Sequence, residues 1–72
     1  MVLAATENVD EEILFWQNIS DINPTYLDAF LELSLLAAKK GNIRLVRQYL
    51  FRAQSINPNS YRLIKVRKSL GL

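Results

Sequence analysis

Neither cysteine nor histidine occurs anywhere in this 72-residue chain. The first absence excludes a disulfide framework and any thiolate-based zinc or redox site. The second removes the commonest metal ligand and the commonest general acid–base group. Glycine and proline are scarce, with two of each, so every backbone break is informative. No apolar run approaches the roughly 18 to 20 residues that a membrane-spanning helix needs. Residues 1–6 are too short for a secretory signal and carry no basic region. Residues 1–7 read as a disordered N-terminal stub, and residues 8–72 as one domain. No glycine-rich phosphate loop, nucleophile–base pair or metal-ligand cluster is present. The adjacent acids Glu11 and Glu12 fall at a helix start, where they complement the helix dipole. The expectation is a chain that is not an enzyme, holds no cofactor or metal, and resides in a reducing, cytoplasmic compartment.

Apolar residues, by contrast, make up 50% of the chain, the high end for a soluble domain. A domain of this size buries only about 60% of the surface its unfolded chain exposes. With disulfides and metals excluded, association is the remaining source of added stability.

The breaks Asn23-Pro24, Gly41-Asn42 and Asn57-Pro58, with Gly71 near the end, divide four segments of helical period. Helices are expected at about 9–21, 26–40, 43–56 and 60–70. Asn8, Thr25, Asn42 and either Asn59 or Ser60 are the expected N-caps, and Gly41 and Gly71 the terminators. Ile13, Trp16 and Ile19 give the first helix its apolar stripe, with Phe15 and Ile22 beside it. The second helix is apolar nearly all round, which places it at the centre. Ile43, Val46, Leu50 and Ala53 form the inward stripe of the third, and Leu63, Ile64, Val66 and Leu70 that of the fourth. Short loops make consecutive helices antiparallel.

Ile22-Asn23-Pro24 recurs as Ile56-Asn57-Pro58, 58 − 24 = 34 residues later. A period of 34 with two helices per unit is the spacing of tetratricopeptide repeats. The unit between the prolines resembles one such repeat. Phe30, Leu33, Ser34, Val46, Leu50, Ala53 and Pro58 fall at that family's large, small and proline positions. Ala37 replaces its usual tyrosine, and Val46 is larger than its usual alanine. The flanking segments resemble half repeats, and Arg67 departs from the pattern. The resemblance implies an all-α, right-handed stack of helical hairpins that binds a protein partner in a groove. It also implies that Asp28, Leu31, Leu35 and Lys39 border that groove. Leu31 and Leu35 stand where the family's carboxylate clamp has polar residues, so an apolar partner or an identical subunit fits better. Leu35 is equally readable as an isolated surface leucine.

Charge is segregated. All seven acids precede Lys39 and all nine bases follow Glu32, so a net of 9 − 7 = +2 hides two opposite halves. A two-fold dimer pairing acidic and basic halves would satisfy this, as would two separately solvated faces. Phe51 lies among Arg44, Arg47, Gln48 and Ser55 on the outward face of the third helix. It reads as an interface anchor or a cation–π partner of Arg47, unless the fourth helix covers it. Arg62 and Lys65 share a basic face of the fourth helix, near Arg67 and Lys68. That face could track phosphates or anionic lipid, but no interleaved aromatic is read there. The function best fitted is a protein-interaction or self-association module, as a homo-oligomer or as part of a larger protein. Nucleic-acid or anionic-surface binding through the basic half ranks second.

Overall fold

The computed structural model describes residues 8–72; the stub expected over residues 1–7 lies outside them. Four helices follow in order: α1 Val9–Ile22, α2 Leu27–Lys39, α3 Ile43–Ile56 and α4 Tyr61–Ser69. The described residues contain no strand. The fold is all-α, with each helix boundary within one residue of its expected place.

Caps explain the boundaries. The Asn8 side chain accepts from the Glu11 amide at 3.3 Å, Asn42 from Leu45 at 3.2 Å, and Ser60 from Leu63 at 3.3 Å. Each satisfies one of the amide donors left free at a helix start. Thr25 does not cap α2. Its hydroxyl donates to the Asn23 side chain at 3.4 Å, and Tyr26 takes the N-cap position without a side-chain bond. The cause is the turn after Asn23, closed by the Tyr26 amide donating to the Asn23 carbonyl at 3.0 Å. That turn encloses Thr25. The second Asn-Pro turn is closed in the same way, by Ser60 donating to the Asn57 carbonyl at 3.2 Å. The repeated tripeptide is thus a repeated local structure.

Gly41 and Gly71 both adopt φ +74. Gly41 donates to Ala38 and Asn42 to Ala37, each at 3.0 Å; Gly71 donates to Lys68 at 3.1 Å and Leu72 to Arg67 at 2.9 Å. These paired bonds make the Schellman ending, which needs a left-handed residue at its bend.

α2 is the central element, packed between α1 and α3, with α4 touching both α2 and α3. It supplies Ala29, Phe30, Leu31, Leu33, Leu36 and Ala37 to the core, joined by Val46, Leu50 and Ala53 of α3 and Leu63 and Val66 of α4. Each fully buried leucine contributes roughly 1.5 to 3 kcal/mol. Ser34 is buried without the penalty of an unpaired hydroxyl, because that hydroxyl donates to the Leu31 carbonyl at 2.7 Å. α1 is the lightest contributor, with Ile13 and Trp16 half-buried against the cluster.

Two expected stripe residues face outward. Ile43 is exposed, and α3 packs instead through half-buried Leu45, Tyr49 and Ile56 beside its buried stripe. Ile64 is also exposed, because α4 meets the core along Leu63, Val66 and Leu70. Cross-links record the antiparallel order. Lys40 beyond the end of α2 pairs with Asp10 near the start of α1. Arg52, late in α3, lies over the ring of Phe30, early in α2, at 4.8 Å.

Candidate functional site

Phe51 is the largest departure from a sealed surface on α3. It is 69% exposed and α4 does not cover it. With Arg47, Leu50, Gln54, Arg67 and Leu72 it lines an open groove between α3 and the end of α4. Leu50 is buried beneath it. Arg67 is held in place by donating to the Gln54 side chain at 2.6 Å. Leu72 reaches the groove because the Gly71 bend turns the chain there. The arrangement is an apolar trough with a guanidinium on each helix. It can accept an apolar side chain flanked by carboxylates, with aromatic and arginine contacts of the kind that anchor interfaces.

Arg47 and Phe51 are thus brought together as expected, but as co-liners of the groove rather than as a cation–π pair. The cation–π contacts among the described residues are Arg52 on Phe30 and Lys65 on Tyr61, the latter at 5.5 Å. The sequence reading missed Arg67 and Leu72. A leucine just past a terminating glycine is the signal that could have flagged the second, since that position often packs back onto the helix.

The groove expected along α2 does not form as described. Leu31 is 0% exposed and belongs to the core. Leu35 is half-buried against the same cluster. One Arg62 nitrogen lies 2.8 Å from the Asp28 carboxylate as an ion pair, and the other lies 3.8 Å from Glu32. α4 therefore reaches the first half of α2 and pairs with Asp28, the acid assigned to a partner. Asp28 and Arg62, nominated on separate surfaces, form one intramolecular bridge. Lys39 remains exposed at the end of α2, apart from the others. Lys65 is exposed on α4 over Tyr61, which is itself 72% exposed. An aromatic does interleave with the basic residues of α4, contrary to the reading from the Arg62–Lys65 face alone.

A second apolar surface runs along α1. Leu14, Phe15 and Ile22 are all exposed, with Glu11, Glu12, Asn18 and Asp21 exposed around them. The described residues gather no set of three acidic or other ligating side chains able to hold a metal. None of their helices is long and apolar enough to cross a membrane. Comparison with known protein families, curated proteins and solved structures finds no match to this chain.

Proposed function

We propose that this chain is a cytoplasmic protein-interaction module of the tetratricopeptide type, without catalytic activity, that docks an acidic, apolar segment in the groove beside Phe51. The observation that carries the reading is Phe51 itself, an aromatic largely in water at the mouth of an apolar trough between Arg47 and Arg67. The repeat assignment is supported by the 34-residue recurrence of the Asn-Pro turn with the same closing hydrogen bond. It is further supported by the small buried residues Ser34 and Ala53 on α2 and α3.

Selection from a random peptide display library on wild type and Phe51→Ala tests the reading. The wild type is expected to enrich peptides combining acidic and large apolar residues, and Phe51→Ala to lose them while keeping its helical circular dichroism. No enrichment, or equal enrichment by both proteins, overturns the groove. The exposed Tyr61 among Lys65 and Lys68 favours one rival, a phosphate-tracking face. Binding of a single-stranded oligonucleotide with a steep salt slope, untouched by Phe51→Ala, would establish that rival instead.

A further inference from the structure

We infer that α1 of one molecule docks on α4 of the next, so that the chain stacks head to tail and its occupant is a second copy of itself. The inference rests on the repeat reading above and goes further, by naming the partner and the surface.

The 34-residue offset equates α1 with α3 and α4 with α2. Phe15 then corresponds to Tyr49 (49 − 15 = 34) and Ile22 to Ile56 (56 − 22 = 34). Tyr49 and Ile56 are packed against the core. Their counterparts are 57% and 85% exposed. On the other side, Ile64 corresponds to Phe30 (64 − 30 = 34). Phe30 is buried at 3%, whereas Ile64 is 47% exposed. α1 therefore presents the surface that α3 buries against the core, where Tyr49 also accepts a hydrogen bond from Gln17 of α1 at 3.2 Å, and α4 presents part of the surface that α2 uses against α3. Each is the missing half of the other.

Charge selects the pairing. The exposed α1 surface carries Glu11, Glu12 and Asp21, and α4 carries Lys65, Arg67 and Lys68. By the same offset Glu12 stands for Val46 and Lys68 for Ser34 (46 − 12 = 68 − 34 = 34). Two buried, uncharged positions of the α2–α3 hairpin are thus replaced by opposite charges on the two open helices. An α1–α1 or α4–α4 contact would set like charges together, which disfavours it. α1 and α4 flank the central α2–α3 hairpin, so each molecule offers one patch at either end, and the contact propagates as a ring or filament.

Sedimentation of the full chain and its variants tests this. The wild type is expected to grow past dimer as concentration rises. Phe15→Glu and Ile64→Glu each alter an exposed side chain and should keep the helical spectrum. Each alone should remain monomeric where the wild type assembles, with a dissociation constant raised about 30-fold, the loss typical of an interface anchor. Mixed one to one, they should form a heterodimer and stop there, because each retains the face the other lacks. Glu12→Lys combined with Lys68→Glu should reassemble where either alone does not, which guards against a folding defect. A wild type that stays monomeric, a dimer that never grows, or a mixture that stays monomeric overturns the inference. Peptide selection by the Phe51 groove that persists in any of these cases would leave the interaction-module reading standing.

Discussion

Leu31 and Phe51 lie on different helices, were both assigned to a partner surface, and have opposite fates. Leu31 is fully buried; Phe51 is mostly in water. Truncation separates them. Leu31→Ala should cost about 2 to 5 kcal/mol, the range for removing a core leucine. A domain of this length has a total stability of only about 4 to 11 kcal/mol, so the urea midpoint should fall sharply. Phe51→Ala should change the stability by no more than about 0.5 kcal/mol, as for surface positions away from special features. Equal losses would place Phe51 in the core. The sequence made Phe51 legible because α3 is amphipathic, with arginines on either side of the aromatic marking the outer face. Leu31 was not legible in this way. α2 is apolar nearly all round, and periodicity cannot tell which side of such a helix is open. Only the position of α4, set by non-local packing and the Arg62–Asp28 bridge, decides it.

Local chemistry fixed the helices more firmly than it fixed their neighbours. The Asn8 and Asn42 caps and both glycine endings were readable, and the Ser60 cap as one of two candidates with Asn59, because each is made by residues within a few positions of one another. Thr25 was misread because the same hydroxyl could serve either a cap or the Asn23 turn, and the turn took it. Gly41 shows how strict these endings are. Nothing lies within 4 Å of a Cβ built there, so a side chain meets open space. Its φ of +74 is nonetheless left-handed. Gly41→Ala should therefore destabilise by roughly 1 to 2 kcal/mol through the backbone alone. Gly41→Asn should lose less, since asparagine tolerates that conformation. If the two variants unfold at the same denaturant concentration as wild type, the α2 ending does not depend on the glycine.

The segregation of charge was plain in the sequence, but not how much of it the fold consumes. Lys40 pairs with Asp10, and Arg62 with Asp28 and Glu32, so part of both halves is matched within one molecule. These pairs are partly exposed, and such pairs contribute only about 0 to 1 kcal/mol each. Internal ion pairing is therefore a weak stabiliser here, and the apolar surface left on α1 and α4 is the larger reserve. If copies stack through those helices, folding and assembly are linked. A folded chain that binds its neighbour at 100 times the dissociation constant gains about 2.7 kcal/mol per interface. For a domain of this size each kcal/mol raises the melting temperature by about 4 to 8 °C. The wild type should thus melt about 10 to 20 °C higher at a concentration 100-fold above that constant than well below it. Phe15→Glu, which alters an exposed side chain and weakens one face about 30-fold, should gain only about 0.9 kcal/mol, or about 3 to 7 °C, over the same range. A wild-type melt that is equally flat would mean that the burial of α2 by its three neighbours suffices, and that the open faces of α1 and α4 contribute nothing to keeping the chain folded.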